Sequence, residues 1–415
     1  MDSNDTNSRI PELRFPGFEG EWPIQPLSKF LHEHKTKSDG KCRVHSVSVS
    51  KGVVDQIEYL GRSFAASDTS KYNLARSNDI IYTKSPTGSF PYGIIKMNKN
   101  PYNVIVSPLY GVYSPTNKYI GYIIDSFFES PERTNTYLST LVQKGAKNTI
   151  QITNNTFISK NVCFPTDEAE QQKIADCLSS VDNLIQAEAD QLQALKDHKK
   201  GLMQQLFPQD GETTPKLRFP GFEGEWEEKK LGEVADRCTS RNKDKTVTRV
   251  LTNSATEGVV DQNAYFERDI AVKENTDNYF IVDVDDFVYN PRISVSAPVG
   301  PISRNKIGRG IMSPLYSVFR FKSGNIDYLE QFFNTTIWHK YLKEVANYGA
   351  RFDRMAINTE DFYSMPIPIP SPPEQQKIAE CLSSLDEEIS AQQQKVEALK
   401  EHKKGLMQKL FPAIN

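Results

Sequence analysis

The chain has 415 residues, of which 38% are hydrophobic, 10% aromatic and 25% charged, with a net charge of −3 and a mean hydropathy of −0.55. That length allows two to four domains, the aromatic content excludes a disordered chain, and no apolar run approaches the ~20 residues of a membrane span. The start of the chain lacks an apolar stretch of signal-peptide length, and Cys42, Cys163, Cys177, Cys238 and Cys381 form neither a CxxC pair nor a cluster of zinc spacing. A cytoplasmic protein with no metal site and no membrane contact is the expectation.

An internal repeat divides the chain. Residues 13–22 and 217–226 both read LRFPGFEGEW, EQQKIA occurs at 170–175 and 374–379, and HKKGLMQQLFP at 198–208 returns with one change at 402–412, each 204 positions on. Between these blocks the halves diverge, with echoes in order: GVVDQ at Gly52 and Gly258, SPLY at Ser107 and Ser313, and a Gly-Ala-basic step at Gly145 and Gly349. The expected plan is a tail (1–12), a variable domain (13–165), a helix (166–208), a linker (209–216), a second variable domain (217–369), a second helix (370–412) and a tail (413–415).

In the first variable domain, residues 44–49, 79–83, 92–97 and 104–113 are β-branched or aromatic runs between turn-forming residues and predict strands, while 119–143 reads as helical. The first shared segment has apolar residues at Ile174, Leu178, Val181, Ile185, Leu192, Leu195, Leu202 and Leu206, a heptad seam interrupted at Glu188 and Lys199. Asp167 and Glu170 fit a capping box at its start. In the second domain 279–284, 287–289 and 315–321 predict strands and 326–347 helix. The second shared segment repeats the seam at Ile378, Leu382, Leu385, Ile389, Val396, Leu399, Leu406 and Leu410, with Gln392 and Lys403 in the same two gaps. Its start, Ser371 to Glu374, also fits a capping box with proline in the first turn, and makes Glu170 and Glu374 helix caps. Phe-Pro stops both helices, each about 39 residues or near 58 Å at ~1.5 Å per residue. Neither seam is stable when exposed. The expected fold is two α/β (α+β) domains in a pseudo-two-fold tandem repeat, separated by a long antiparallel two-helix coiled coil.

Charge separates the domains: residues 13–165 carry 18 basic and 11 acidic side chains, residues 217–369 carry 20 and 22, and both helices are net acidic. The first domain is thus the electrostatic surface for DNA. In the second, 292–309 holds Arg292, Arg304, Lys306 and Arg309 without an acid, interleaved with Asn290, Ser294, Ser296, Ser303 and Asn305. A solvated face has that composition, and so does a surface of phosphate clamps and base-edge readers. Catalytic motifs are missing: there is no GxxxxGK[ST], GxGxxG or HExxH. The SPLY steps superficially resemble an amino-methyltransferase motif, but leucine replaces its second proline, no AdoMet-binding glycine motif precedes it, and its duplication favours a strand-entry turn.

Tandem variable domains, each followed by a helix opening on Pro-x-x-x-x-Glu-Gln-Gln-Lys-Ile-Ala and closing near Leu-Met-Gln-x-Leu-Phe-Pro, resemble the DNA specificity (S) subunit of type I restriction-modification systems over nearly the whole chain. The lead into the helix departs from the family's pattern in the first copy, Val162 to Pro165, but not in the second, Ile367 to Pro370. The resemblance implies a non-catalytic subunit in which each variable domain is a target recognition domain for one half of a bipartite double-stranded DNA site. It implies helices that set the half-site separation and dock two methyltransferase subunits, with motor-nuclease subunits joining. AdoMet, ATP and Mg would belong to those partners, and no cofactor to this chain. The DNA-contact candidates are Lys84, Ser85, Lys144, Lys147 and Asn148 in the first domain and Arg292, Arg304, Lys306, Arg309, Arg351 and Arg354 in the second. Two alternatives stay open: the specificity subunit of a methylation-only complex without a nuclease, and a coiled-coil scaffold carrying two modules that bind something other than DNA.

Overall fold

A computed structural model describes residues 9–38, 40–65, 67–144, 150–209, 211–266, 276–347 and 353–412. The chain divides into two compact units, residues 1–190 with 394–415, and residues 191–393. Each long helix, Glu168–Leu206 and Pro372–Leu410, starts in one unit and ends in the other.

The first unit is built on a four-stranded antiparallel sheet in the order Leu31–Glu33, Gly111–Pro115, Ile80–Tyr82, Ile95–Met97. One face of it carries the helix Lys118–Phe127, whose Ile120, Ile123, Ile124 and Phe127 are buried. Two-stranded pairs surround the sheet: Ile24–Pro26 with Asn161–Cys163, His45–Ser48 with Gly52–Asp55, and Asn73–Ala75 with Val104–Val106. Ile80, Tyr82, Tyr113, Phe127 and Phe157 form one core with Ile174 and Leu178 from the start of the first long helix and Met407, Leu410 and Phe411 from the end of the second. Asp182 contacts Lys403 and Glu188 contacts Lys395, so the two helices run antiparallel in this unit.

The second unit repeats the plan. Its sheet runs Ala235–Arg237, Ser317–Phe321, Phe287–Tyr289, Ile302–Arg304, all antiparallel. Phe287, Tyr289, Phe319, Phe332 and Trp338 pack with Met203, Leu206 and Phe207 from the first long helix and Ile378, Ala379 and Leu382 from the second. Lys199 meets Asp386 at 2.6 Å, again an antiparallel pair. The GVVDQ echoes are explained by geometry: Gly52 and Gly258 turn hairpins at φ +69° and +68°, and each following strand ends on an aspartate, Asp55 and Asp261, that bonds the first turn of a short helix.

Four expectations need correction. The helical stretch 119–143 is two helices, Lys118–Phe127 and Pro131–Ser139, broken where Ser130 caps the second with proline behind it. Likewise 326–347 is Ile326–Phe333 and Trp338–Val345, and the run 104–113 is two strands split by the SPLY turn, which closes with the Tyr110 N–H on the Ser107 carbonyl. Glu170 and Glu374 do not cap with their side chains. Asp167 accepts from the Glu170 N–H, while the Glu170 carboxylate turns inward and takes two hydrogen bonds from Arg14 at 2.7 and 3.0 Å and one from Trp22 at 3.2 Å. Glu374 takes Arg218 the same way, at 2.7 and 2.8 Å. The shared decapeptide and the shared helix start are therefore two halves of one clamp. A second shared contact lies at the helix ends, where the Leu13 N–H bonds the Lys409 carbonyl and the Leu217 N–H bonds the Gln205 carbonyl, both at 2.9 Å.

The seam residues are all buried or half-buried, and so are the polar residues at its interruptions: Glu188, Lys199, Gln392 and Lys403 are between 7% and 9% exposed. These are seam positions occupied by charge and amide, not breaks in the seam. Lys403 bonds Asp182 and Glu129, both at 2.6 Å. Burial alone would lower its ammonium, but the two carboxylates outweigh burial and hold it above its ordinary pKa. Among the described residues no helix is long and apolar enough to cross a membrane.

Candidate nucleic-acid interface

In both units the hairpin that leads from a central strand of the sheet to the edge strand beside it is pinched at its base and open at its tip. In the first unit the Tyr82 hydroxyl donates to the Tyr92 carbonyl at 2.8 Å, and in the second the Tyr289 hydroxyl donates to the Val299 carbonyl at 3.0 Å. Gly93 and Gly300 close the hairpins at φ +98° and +80°. A Cβ on Gly93 would lie 2.7 Å from the Lys84 nitrogen, and one on Gly300 would lie 2.0 Å from the Asn290 oxygen, so the two chain arms touch there and only glycine fits. Beyond the pinch a tight turn forms in each: Thr87 and Phe90 exchange backbone bonds at 3.0 and 2.9 Å, and the Ser294 N–H bonds the Ala297 carbonyl at 3.0 Å. The anchors Phe90 and Ala297 are buried, while residues 85–89 and 294–296 stand in solvent.

The sequence carried a signal for this pair that the strand reading passed over: Ser-x-Pro-x-Gly at 89–93 and at 296–300, 207 residues apart. Three segments converge around the first hairpin. A concavity of about 650 Å³ is lined by Lys84 and Ser85 at the hairpin base, Leu109 of the SPLY turn, Lys35, and Thr153 and Asn154 just after the strand Ile150–Gln151. Lys84 is half-buried there at φ +62°; burial lowers its ammonium pKa, with Glu33 pulling the other way. Its lining brings together two ammonium groups, the hydroxyls of Ser85 and Thr153, and the amides of Asn154 and Asn155 beside the Glu33 carboxylate, to which Asn154 donates at 2.7 Å, a mixed donor and acceptor set suited to base edges and phosphate.

The second hairpin also adjoins the stretch from Asp353 to Met355. Arg292 pairs with Arg354 in a β-bridge, the Ile293 N–H bonds the Asp353 carbonyl at 3.0 Å, and the Met355 N–H bonds the Pro291 carbonyl at 2.9 Å. Arg292 is well exposed and only loosely held, with Asp353 at 3.9 Å. Arg304 is different. It is 12% exposed and meets Asp285, Asp327 and Glu330 at 2.6, 2.6 and 3.2 Å; burial works against its charge, yet the bonds to Asp327 and Asp285 raise its pKa. Lys306 also reaches Glu330 at 2.7 Å, and Arg309 reaches Asp283 at 3.5 Å. Arg304 and Lys306 are committed to neighbouring acids and Arg309 is held only loosely, whereas Arg292 and Arg354, which reaches Asp353 at 3.7 Å, sit beside the open loop. Lys147, Asn148 and Arg351 lie outside the described residues. Lys144 ends the strand Gln143–Lys144, where only its backbone is described.

Among the described residues no group of three His, Cys, Asp or Glu side chains is arranged to hold a metal ion, and all five cysteines are free. The site in each unit is instead a loop-bearing face with donors and few internal obligations.

A tandem pair of mixed α/β units, each presenting the same pinched hairpin and closed by the same helical frame, defines a duplicated recognition protein. The chain belongs to the family of the type I restriction modification DNA specificity domain, whose family model matches residues 47–197 and 223–401. It is 29% identical over 272 residues to the putative type I restriction enzyme MjaX specificity subunit of Methanocaldococcus jannaschii, covering 61% of this chain and 59% of that one. It is 27% identical over 268 residues to the type I restriction enzyme MjaVIII specificity subunit of the same organism, covering 61% and 62%. The chain thus spans about three fifths of the length of the curated relatives it matches. In fold it is similar to the type I restriction-modification S subunit from M. genitalium, with a TM-score of 0.55 at 12% identity over 98% of this chain and 100% of that one. It is also similar to a chain from a type I R-M system solved to explain complex assembly and conformational transition, with a TM-score of 0.52 at 16% identity over 97% and 99%.

Proposed function

We propose that this chain is the non-catalytic specificity subunit of a type I restriction-modification complex and reads a bipartite double-stranded DNA site, one half with each unit. Residues 13–165 and 217–369 are the target recognition domains, and the two helical segments are the common frame on which two methyltransferase subunits dock and motor-nuclease subunits join. AdoMet, ATP and Mg serve those partners. Free cysteines fit a reducing cytoplasm. The observation that carries the reading is the duplicated pinched hairpin: two units otherwise divergent in sequence present the same backbone device with different exposed residues, as two readers of different half-sites require. Of the candidates, Lys84, Ser85, Arg292 and Arg354 border the hairpins and are the contacts we favour.

The test is an exchange. Residues 23–165 are replaced by the corresponding domain of a relative, the chain is expressed with its methyltransferase partner, and methylated adenines are mapped across the genome. One half of the mapped site should change and the other stay. A site altered in both halves refutes independent reading, and a chain that directs no sequence-specific methylation refutes the function.

A further inference from the structure

The two hairpin turns share two backbone bonds, from Thr87 and Gly93 to the Phe90 carbonyl and from Ser294 and Gly300 to the Ala297 carbonyl, and differ at their tips. Position by position, Thr87, Gly88, Ser89 and Phe90 correspond to Ser294, Val295, Ser296 and Ala297, each 207 residues on. Gly88 occupies the tip of the first turn in the left-handed region at φ +52° and presents no side chain. Val295 occupies the tip of the second and is 105% exposed, the most exposed large hydrophobic residue among those described. Internal packing does not explain a valine there. The turn is held without it: the Ala297 N–H bonds the Ser294 hydroxyl at 3.1 Å, the Ser294 and Ser296 hydroxyls lie 3.1 Å apart, and Ala297 is the buried anchor. The isopropyl group is carried outward on a hydrogen-bonded, small-residue turn, three residues from Arg292.

Resting on the DNA-reading function just proposed, we infer that Val295 is a specificity-determining residue of the second unit, reading the C5-methyl group of one thymine in the major groove, with Arg292 beside it placed for a neighbouring phosphate or guanine edge. The chemistry is restrictive. The thymine methyl is the one apolar feature that distinguishes a base pair in the major groove, and a short branched aliphatic group is its complement. A valine on a pinched hairpin enters the groove without first losing an internal contact, and two β-arms braced at Gly300 limit the entropy lost on docking. The first unit has glycine at that tip, so its half-site is read without such a contact.

The experiment uses the full chain with its methyltransferase subunits and the DNA site mapped by methylation sequencing. Each thymine of the half-site assigned to the second unit, on either strand, is replaced in turn by uracil, which keeps pairing and removes only the methyl. At one position the replacement should weaken binding by the unaltered complex about fivefold, the low end of the cost of a mismatched pair. The V295A complex should bind the thymine duplex that much more weakly and be indifferent to uracil at that position, while its responses in the other half-site stay as before. A half-site with no responsive thymine overturns the inference, and so does a V295A complex that remains as sensitive to uracil as the unaltered one. A V295A complex weakened equally on every duplex assigns Val295 to a protein partner and also overturns it. Failure of the function itself reads differently: the unaltered complex would then show no sequence-specific binding on any duplex.

Discussion

Replacing Glu170 with alanine tests whether the duplicated decapeptide is a structural clamp. Glu170 is 2% exposed and accepts two hydrogen bonds from Arg14 and one from Trp22. Its removal strands a guanidinium and an indole N–H against the start of the first long helix. Breaking a fully buried ion pair costs roughly 3–5 kcal/mol. Arg14 keeps 14% exposure of its side chain and a second bond to the Gly20 carbonyl, which brings the expected loss to about 2–3 kcal/mol. Glu374→Ala in the second unit should cost about 1 kcal/mol less, because the Trp226 indole N–H has no hydrogen-bond partner among the described residues and so loses nothing. Unfolding of a two-unit chain is not a single transition, so amide hydrogen exchange on the full-length protein is the suitable assay. Amides of residues 10–24, including the Leu13 N–H that bonds Lys409, should exchange about 30 to 150 times faster if local opening absorbs the whole loss. Acceleration below about threefold, or a larger effect from Glu374→Ala than from Glu170→Ala, would refute the clamp as the reason these segments are repeated.

Asp182→Asn leaves the buried Lys403 with Glu129 alone and should destabilise the first unit by about 1–3 kcal/mol, most of which Lys403→Met restores in the double variant; a strictly additive cycle contradicts this. Burial would raise the Asp182 carboxyl, but Lys403 and Lys99 hold it below its usual pKa. Its contribution is therefore present above the unfolded value near 3.9 and is lost as pH falls through the lower folded value. Hydrogen-exchange protection of the first unit, followed against pH, should show a shallower acid limb for Asp182→Asn than for the unaltered chain. Gly300→Ala places a Cβ 2.0 Å from the Asn290 oxygen at φ +80°, which should open the second hairpin and abolish methylation at that half-site while the first unit keeps its exchange pattern. Arg304→Ala should lower stability, since Asp285, Asp327 and Glu330 would lose their shared cation; Arg292→Ala should leave stability unchanged but weaken DNA binding, lowering the salt slope by about one if it contacts a phosphate.

The long helices were legible because a heptad repeat is a local signal, and each copy confirmed the other. Their polar positions were harder, since Glu188 and Lys403 look like interruptions until Lys395 and Asp182 are brought opposite them. Glu170 was misread for a related reason: three residues after a helix start a glutamate is usually a cap, and its true partner, Arg14, is 156 residues away. For the loop faces, sequence reasoning reached Lys84 and Arg292 through charge, which marks surface but not obligation. It therefore also admitted Arg304, whose three acids come from two different elements. Val295 carried no charge to notice, and only the matched turn around Gly88 makes it stand out.

The division of the chain into units has a consequence for its synthesis. The second unit is an uninterrupted stretch, 191–393, whereas the first needs residues that follow a gap of about 200 positions. Phe127 and Phe164 meet Phe411 edge-on, and Leu178 shares their core. At roughly 5–20 residues per second on the ribosome, that gap takes on the order of 10–40 s to translate. Through that interval the earliest-made domain holds an open apolar socket, and the later-made one can close first. The domain born first is thus the last to be completed, and a nascent chain halted before Met407 would carry one finished unit and one still waiting for its final helix.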